Sequence, residues 1–584
     1  MEQAKSSSWY AFPSIAIPTP VLALAMTPTG LWAGGVGGIA RLAPNQTWQL
    51  HSAGLPITSV TSLSSAGASV LAGGAEGIVR SVDEGASWHL AEVEGQRAGI
   101  TALVVSPRFA EDGTALAATL DGGVLRSSDA GRSWKYANVG LASFEVTGLL
   151  WQPDEVVLAA TADGIYRSPN AGRAWRLVGG TEGHMIDALA GLPDGHCLAA
   201  CANGNLLRSL DYGCTWSHVG TLPMQTQISA IVASADRLLL GSTSHGTLCS
   251  HDGVTWTTVL QKPVLSLTAE SDAMYAGTDT GVQVSVDGGQ TWRALPTPPL
   301  HDLRRLLLPR GRPMLVGRHT GILSWHDERQ WQPLVHAPRP ITAVAETRDG
   351  VVWASGPAGL ARSEDAGATW EIRVPGDAGW VGHITFDATD TGWAGSADGR
   401  RLLRTRDAGQ RWESLDPPFG VLLLVALAAL SDALLAATYD RRQQRVQLWR
   451  SFDAGSSWER GAEVQTVWPN VATSADPPLV TLGSNIFWQS AQRQWNQTAL
   501  ESNSLVHRIV GEKRQLFMLA ADGLYRSADD GQSWTLLRNT PPIDRILDVA
   551  LDDETLYVLL IGGQLQSCSL SSLVQDESTL SETI

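Results

Sequence analysis

The chain has 584 residues, a formal net charge of −16 at pH 7, and 43% hydrophobic residues. This composition excludes an intrinsically disordered protein, and the acidic balance disfavours nucleic acid or an anionic membrane as a partner. Gly (59) and Trp (23) are abundant, which is typical of short strands joined by glycine-containing turns.

The N-terminal segment, MEQAKSSSWYAFPSIAIP, lacks a basic start and a continuous apolar stretch, so we predict no signal peptide. The most apolar run, VLLLVALAAL at 421–430, is too short to span a bilayer as a helix. We therefore expect a buried strand there, no membrane insertion and a cytoplasmic location. The cysteines and histidines show no metal-ligand spacing, so we expect neither a metal site nor a cofactor.

One motif, [S/T]-x-D-x-G-x-x-W, recurs along the chain in eight complete copies, from SVDEGASW at 81–88 to SADDGQSW at 527–534. Catalytic residues rarely come in eights, so the motif is interpreted as part of the fold. Its aspartates are Asp83, Asp129, Asp211, Asp287, Asp365, Asp407, Asp453 and Asp529. Its tryptophans are Trp88, Trp134, Trp216, Trp292, Trp370, Trp412, Trp458 and Trp534.

Degenerate copies fill the gaps between the complete ones. They end at Trp48, Trp175, Trp256, Trp331 and Trp495, which brings the number of units to thirteen, spaced by about 40 residues. Each unit combines apolar stretches with a short glycine turn, as in LAATADGIYRS at 158–168. Alternating apolar and polar residues predict four antiparallel strands per unit, which is one propeller blade.

The two ends of the chain predict a fourteenth blade. Three strands follow Trp534 without a fourth, whereas SSSWYAF stands alone before the first unit, with Trp9 at the position of the repeat tryptophans. Because one ring holds typically 4–8 blades, we predict an all-β tandem of two seven-bladed propellers. The first covers 18–296 and the second covers 297–568, completed by strand 6–14, while 569–584 is a polar, disordered tail. In an alternative arrangement Trp292 closes the second ring.

The motif suits the hairpin between the third and fourth strands of a blade. Its aspartate can accept hydrogen bonds from backbone N–H groups of the turn, its glycine permits a positive φ, and its tryptophan buries apolar area. One carboxylate per turn is too few for a calcium loop.

The repeats resemble the Asp-box (BNR) repeats of sialidases, sortilin-type receptors, photosystem II assembly/stability factors and two-propeller xyloglucan hydrolases. The resemblance covers the whole chain and implies a β-propeller without fixing a function. It also implies that the motifs lie at the periphery, away from the binding face. The paired layout is most similar to the xyloglucan hydrolases, and the short repeats are most similar to the assembly factors.

Candidate catalytic carboxylates outside the motif all precede or lie in turns between second and third strands. They are Glu76, Asp121, Asp163, Asp279, Asp398 and Asp522. Their recurrence at one register favours a turn role, and no family motif identifies a catalytic pair. Tyr166 and Tyr525 lie in a repeated strand, which disfavours a sialidase nucleophile. The catalytic residues therefore stay unassigned.

One segment, TYDRRQQRVQLWRS at 438–451, lengthens the usual turn and adds Arg441, Arg442 and Arg445. It is either a longer solvated hairpin or a docking site for a partner. The main hypothesis is a non-catalytic scaffold that binds a protein partner, in the manner of an assembly factor. The alternative is a glycoside hydrolase or carbohydrate-binding protein that uses a cleft between the propellers. The oligomeric state is left open.

Overall fold

A computed structural model gives the structure of the chain. It describes residues 9–573 apart from 14, 16–17, 28, 53–54, 58, 96–97, 193–194, 223–226, 235–236, 271–272, 319, 327–329, 335–339, 357–358, 376–380, 397, 421, 431, 466–470, 475–477, 490–494, 501, 503, 513 and 539.

The chain divides into two compact units, each built around its own ring of seven sheets. The unit Ala16–Asp302 is called the first propeller. The unit that combines Met1–Ile15 with Leu303–Ile584 is called the second propeller. The chain has the predicted fold, because the sheets number fourteen and the last is completed by an N-terminal strand, β1 Tyr10–Ala11.

In the first propeller, consecutive antiparallel strands form each blade, from the inner strand to the outer one. The strands are β2 Val21–Thr27, β3 Gly30–Gly35, β4 Gly38–Leu42 and β5 Trp48–Leu50; β6 Ser62–Ala66, β7 Ser69–Gly74, β8 Gly77–Ser81 and β9 His89–Leu90; β10 Glu92–Val93, β11 Ile100–Val105, β12 Ala115–Thr119, β13 Val124–Ser127 and β14 Ser133–Tyr136; β15 Val146–Trp151, β16 Val157–Thr161, β17 Gly164–Ser168 and β18 Arg176–Leu177; β19 Ile186–Gly191, β20 Cys197–Cys201, β21 Asn205–Ser209 and β22 Ser217–Thr221; β23 Ile228–Ser234, β24 Arg237–Ser242, β25 Gly246–Ser250 and β26 Thr257–Leu260; and β27 Val264–Glu270, β28 Ala273–Thr278, β29 Gly281–Ser285 and β30 Arg293–Ala294. The third blade has five strands, because β10 pairs in parallel with β14 at its outer edge.

The second propeller repeats this order. Its strands are β31 Leu303–Leu307, β32 Met314–Gly317, β33 Gly321–His326 and β34 Gln330–Pro333; β35 Ala343–Glu346, β36 Val352–Gly356, β37 Gly359–Ser363 and β38 Glu371–Pro375; β39 Val381–Phe386, β40 Gly392–Ser396, β41 Leu402–Thr405 and β42 Glu413–Leu415; β43 Leu423–Ala429, β44 Leu434–Asp440, β45 Arg445–Ser451 and β46 Glu459–Gln465; β47 Val471–Ser474, β48 Leu479–Leu482, β49 Asn485–Gln489 and β50 Trp495–Ala499; β51 Val506–Glu512, β52 Gln515–Ala520, β53 Gly523–Ser527 and β54 Thr535–Leu536; and β55 Ile546–Leu551, β56 Thr555–Leu560 and β57 Leu565–Ser569.

The two rings close differently. In the first propeller every blade is a continuous stretch of chain, and the Ser266 hydroxyl of the last inner strand donates to the Val21 carbonyl of the first one. In the second propeller β1 pairs with β57, placing Tyr10 opposite Ser567. Residues 6–8 and 14 of the strand predicted over 6–14 lie outside the described residues.

The core lies between neighbouring blades rather than inside one sheet. The strand β16, VLAAT, is buried at every position because its two faces meet different neighbours. Leu116 and Ala118 of the third blade pack with Val157 and Ala159 of the fourth. Sheets packed this closely on both faces favour small and β-branched residues, which explains the recurring alanine runs.

Hydrogen bonds between inner strands join the blades around the first ring. Hydroxyl groups near the start of four inner strands donate to a carbonyl of the next inner strand, at 2.6 to 2.7 Å. They belong to Thr61, Thr101, Thr147 and Ser229.

Helix is scarce in the described chain. It comprises α1 Phe109–Asp112, single 3-10 turns at Pro309–Gly311 and Ile543–Arg545, and one turn at 570–573. Leu573 is buried, so packed structure extends past 568, and 574–584 lie outside the described residues. Among the described helices, none has the length and hydropathy needed to cross a membrane.

Candidate functional site

The aspartate of the repeated motif is bonded to its own turn. In the copy at 81–88, the Oδ1 atom of Asp83 accepts hydrogen bonds from the Ser81 hydroxyl at 2.8 Å and the Ser87 N–H at 2.9 Å. The Ser87 hydroxyl donates to Oδ2 at 2.6 Å, and the Gly85 N–H donates to the Ser81 hydroxyl at 2.7 Å. The Ser87 hydroxyl, followed by its N–H and the Ser81 hydroxyl, lowers the pKa of Asp83 to about 2.

The other seven complete copies repeat the bond from the backbone N–H four residues on to the aspartate. Their aspartates are Asp129, Asp211, Asp287, Asp365, Asp407, Asp453 and Asp529. The indole N–H of six tryptophans donates to the carbonyl of the motif glycine, namely Trp134, Trp216, Trp292, Trp370, Trp458 and Trp534. Trp88 donates to the His51 carbonyl instead, and Trp412 packs edge-on against Trp353.

These bonds give the motif a structural role that excludes acid catalysis at neutral pH. A carboxylate with a lowered pKa is ionised and cannot donate a proton. Asn170, which replaces the aspartate in one copy, still accepts from the Ser168 hydroxyl and the Ala174 N–H. A neutral Oδ1 acceptor can therefore also form the turn, without the bond that Oδ2 accepts in the copy at 81–88.

The predicted docking segment is a regular hairpin. Residues 441–444 form the turn between β44 and β45, and β45 pairs with the lengthened outer strand β46. Arg445 lies 2.6 Å from Glu463 across this pair and also bonds Gln443. Arg441 and Arg442 are exposed. The structure therefore leaves two of the three arginines at the tip.

Two of the turn carboxylates, Asp398 and Asp522, do not have the properties of a general acid. Asp398 accepts the Ser396 hydroxyl at 2.5 Å, and this bond lowers the pKa of the carboxyl. Asp522 accepts the Tyr525 hydroxyl, and its pKa is also lowered, because hydrogen bonds from Ser502 and Tyr525 outweigh the effect of burial. Burial raises the pKa of Asp187 and of Glu346, which lie on inner strands of the first and second propellers respectively.

The second propeller contains a cavity of about 630 Å³ at the beginnings of its inner strands. Its described lining includes four arginines and two histidines, and no aspartate or glutamate is among these residues. The charged and titratable lining residues are Arg304, Arg305, Arg318, Arg508, His383 and His507. We call this space the channel of the second propeller.

Two of the channel arginines share one buried carboxylate. Asp548, only 1% exposed, lies on β55 between β51, which carries Arg508, and β31, which carries Arg305. Its Oδ2 atom accepts the Leu306 N–H at 2.9 Å. Its Oδ1 atom lies 3.5 Å from the Arg508 Nε and 3.9 Å from an Arg305 Nη. Asp548 thus joins the last blade of the ring to its first.

The channel environment disfavours additional positive charge. Removal from bulk water and the proximity of Arg508 lower the pKa of Arg305, and Asp548 offsets this in part. Burial lowers the pKa of His383, whose Nε2 bonds the Leu424 carbonyl at 2.9 Å. Burial also lowers the pKa of His507. Both histidines are therefore neutral at pH 7.

Sequence reasoning missed this cluster, although a signal for it exists. In many inner strands of both rings, the pairing with the second strand of the blade skips one residue. The register shift lies between the first residue of the inner strand and its third residue. In the first propeller that third residue is small, namely Ala23, Ala102, Gly148, Ala188, Ala230 or Ser266. In the second it is Arg305, His383, Arg508 or Asp548, and in β43 the shift comes one residue later, before Ala426. Alignment of the inner strands alone reveals this change.

Exposed apolar side chains occur in the third blade of the first propeller and in the segment that follows its last strand, namely Leu120, Tyr136, Val139 and Phe144. The Gly123 N–H donates to the Phe144 carbonyl, and the Asn138 side chain donates to the Gly122 carbonyl, both at 2.8 Å. The Tyr136 ring lies beside Gly122. One glycine turn is thus flanked by the Tyr136 ring, the Asn138 amide and the backbone of the exposed Phe144. We call Tyr136 and Phe144 the aromatic pair.

Metal chemistry has no support in this region or elsewhere in the described chain. No group of three or more His, Cys, Asp or Glu side chains is placed to hold an ion there. No disulfide joins cysteines in the described part of the chain, and burial raises the pKa of Cys197 to about 12 and that of Cys201 to about 11.

Comparison with known proteins finds similarity to two xyloglucanases. A xyloglucanase of a Paenibacillus species is 25% identical over 175 residues, which is 28% of this chain and 16% of that protein. The crystal structure of the GH74 xyloglucanase from Xanthomonas campestris superposes with a TM-score of 0.66 at 17% identity, over 96% of this chain and 99% of that one. No protein-family model matches the sequence.

The fold is also found outside that group of enzymes. PorZ, a surface component of the type-IX secretion system of Porphyromonas gingivalis, superposes with a TM-score of 0.50 at 16% identity, over 96% of this chain and 86% of PorZ. At these identities the structural matches establish the tandem-propeller fold alone. The sequence match to the xyloglucanase spans a minor part of both proteins.

Proposed function

We propose that the chain is a carbohydrate-active protein of the glycoside hydrolase class, with a xyloglucan-type β-glucan as its substrate. The sequence similarity to a xyloglucanase is the observation that carries the proposal. The shared fold with a GH74 xyloglucanase over nearly the whole length of both chains supports it. In the sequence analysis the partner-binding scaffold was the main hypothesis and the glycoside hydrolase was the alternative. The proposal reverses that order.

The aromatic pair gives the proposal a physical basis in the first propeller. Aromatic rings present a negative face, on which the C–H groups of a neutral sugar ring can stack. Tyr136 and Phe144 are 37% and 47% exposed, and Asn138 lies beside the same turn. An exposed apolar cluster of this kind is a feature of binding surfaces.

The test measures hydrolysis and binding separately. The full chain is incubated with xyloglucan and with an unsubstituted mixed-linkage β-glucan, and the release of reducing ends is measured against a heat-unfolded sample. Affinity electrophoresis in the same polysaccharides measures retention. Release of reducing ends from xyloglucan supports the proposal. Retention without release overturns hydrolysis and leaves carbohydrate binding, and the absence of both overturns the proposal.

A double variant tests the aromatic pair. Tyr136→Ala with Phe144→Ala should weaken xyloglucan retention about tenfold, because two stacking interactions are lost. Tyr212→Ala is the matched control, since Tyr212 is an equally exposed aromatic residue in a motif turn of the same propeller. Equal loss in the control would show that the aromatic pair has no special role.

A partner-binding scaffold is the second candidate. It is favoured by the exposed Arg441 and Arg442 at the tip of a lengthened hairpin in an acidic protein, and by the lowered pKa values of the turn carboxylates. Reversal of Arg441, Arg442 and Arg445 to glutamate should abolish recovery of an acidic protein partner in a pull-down. Unchanged recovery of the same partner would refute docking at this hairpin.

A further inference from the structure

The described lining of the channel of the second propeller contains arginines but no aspartate or glutamate. Arg305 and Arg508 share the single carboxylate of Asp548, and Arg304 lines the same space. Within the described lining no second carboxylate accompanies them. Confined charges of one sign raise the local concentration of ions of the opposite sign.

The contacts to Asp548 leave guanidinium donors unused. Charge-assisted bonds between nitrogen and carboxylate oxygen measure about 2.7–2.9 Å, whereas the two arginine contacts measure 3.5 and 3.9 Å. The Nε of Arg508 is buried and has no hydrogen-bond acceptor among the described residues. Arg305 keeps 52% of its side-chain surface exposed. A buried donor without an acceptor is costly, so an acceptor supplied by a ligand would stabilise this arrangement.

The propeller fold does not require Arg305, Arg508 and Asp548 at their positions. The first propeller forms the same ring with alanine, glycine and serine at the corresponding register. Asp548 contributes to ring closure by accepting the Leu306 N–H at 2.9 Å, whereas the contacts of Arg305 and Arg508 with Asp548 are longer, at 3.9 and 3.5 Å. Their presence is therefore explained by a ligand better than by the architecture.

The remaining lining indicates an organic ligand rather than a bare inorganic ion. Apolar side chains share the cavity with the arginines, among them Leu307, Val316, Ile384 and Leu427. Its volume of about 630 Å³ lies in the range of small-molecule sites, about 300–1,000 Å³. An arginine fork matches the planar geometry of a carboxylate.

We propose that the channel of the second propeller binds a small organic carboxylate, held by Arg305 and Arg508, with Asp548 as the residue that positions the two arginines. Two classes of ligand carry such a carboxylate, namely sugars with a uronate group and free organic acids. The proposal does not depend on xyloglucan hydrolysis.

Isothermal titration calorimetry of the full chain tests the proposal. The probes are glucuronate, its uncharged counterpart glucose, succinate and inorganic phosphate. Binding of glucuronate or succinate with no binding of glucose supports a carboxylate site, and the tighter of the two carboxylates identifies the class of ligand. Absence of heat for both carboxylates overturns the proposal. Equal affinity for phosphate, or for glucose, also overturns it.

Variants locate the site. Arg305→Gln and Arg508→Gln should each lower carboxylate affinity about tenfold or more, because each removes a charge-assisted bond. Arg406→Gln is the control, since Arg406 is 68% exposed and lies at a motif turn of the same propeller. Arg305→Lys, which keeps the charge without the fork, should recover only part of the affinity. Near-ultraviolet circular dichroism checks folding, and unchanged affinity in folded Arg305→Gln and Arg508→Gln would refute the assignment.

Discussion

Closure of the second propeller by the N-terminal segment includes a set of aromatic contacts made by Phe12. Its ring meets Trp325 edge-on at 4.9 Å between centroids, and it also lies 6.3 Å from Trp331 and from Tyr557. The Phe12 N–H continues the pairing of β1 by donating to the Leu565 carbonyl at 2.9 Å. We predict that Phe12→Ala weakens closure while leaving the backbone pairing intact.

The expected cost follows from burial and ring contacts. A fully buried Phe→Ala substitution costs about 3–5 kcal/mol, and Phe12 is half-buried. Each aromatic pair adds about 0.5–1.5 kcal/mol beyond burial, and the Trp325 contact has the most favourable geometry. We expect a loss of about 2–3 kcal/mol in the free energy of unfolding. This corresponds to a fall in Tm of roughly 3–5 °C for the unfolding of a propeller of this size.

Differential scanning calorimetry measures the shift, with Tyr10→Ala as the matched control. Tyr10 precedes Phe12 in the same segment and pairs with Ser567 through its backbone, its side chain is 54% exposed, and its ring meets Phe12 edge-on at 5.2 Å. We expect the control to lose about 1 kcal/mol, since it removes this one ring contact and leaves those of Phe12 with Trp325, Trp331 and Tyr557 in place. Equal effects of the two substitutions, or no effect of either, would refute closure through the aromatic cluster. Removal of residues 1–12 should promote aggregation in size-exclusion chromatography, because β57 would become an exposed edge.

Two further predictions concern the motif turns. The pKa of Asp83 is lowered to about 2, so its ionised form stabilises the fold above about pH 4, and this contribution is lost as the pH falls toward 2. The difference in urea midpoint between the wild type and Asp83→Asn should therefore shrink over that range, and a constant difference would contradict the assignment. Gly409→Ala should cost about 2 kcal/mol or more, because Gly409 has a φ of +87° and a Cβ atom would clash with the buried Trp353 ring. Gly420→Ala is the control, because Gly420 has a φ of +65° and no atom lies within 4 Å of its Cβ position. It measures the backbone contribution alone in the same denaturation experiment. Equal losses of unfolding free energy in the two variants would exclude the clash.

Much of the fold was predictable because the repeat is local. The motif bonds join residues two to four positions apart, as between Ser81, Asp83 and Ser87, so a short segment specifies its own turn. The lone SSSWYAF segment and the incomplete last blade predicted the closing strand. The basic hairpin was predictable as a longer turn, but the neutralisation of Arg445 by Glu463 depends on pairing across β45 and β46.

The channel cluster was not predictable from local patterns. Leu306 and Asp548 are bonded although they lie 242 positions apart, and Arg508 comes from a third blade. In the sequence, single charged residues on separate strands resemble ordinary variation between repeats, because only the closed ring brings them close together. Whether such a charged residue faces the channel depends on which face of its inner strand points to the ring axis. The register shifts in these strands set that orientation.

The sequence by itself determined the number of blades, the strand order within each blade and the turn that fixes each outer hairpin, because those features depend on residues adjacent in the chain. Ring closure decided which side chains share a confined space, since it brings the inner strands of all seven blades of a ring to one axis. In the first propeller the inner-strand positions that follow the register shift hold small residues such as Ala102, Gly148 and Ser266. In the second, ring closure gathers arginines around one buried carboxylate, where burial and mutual repulsion change the chemistry of each group.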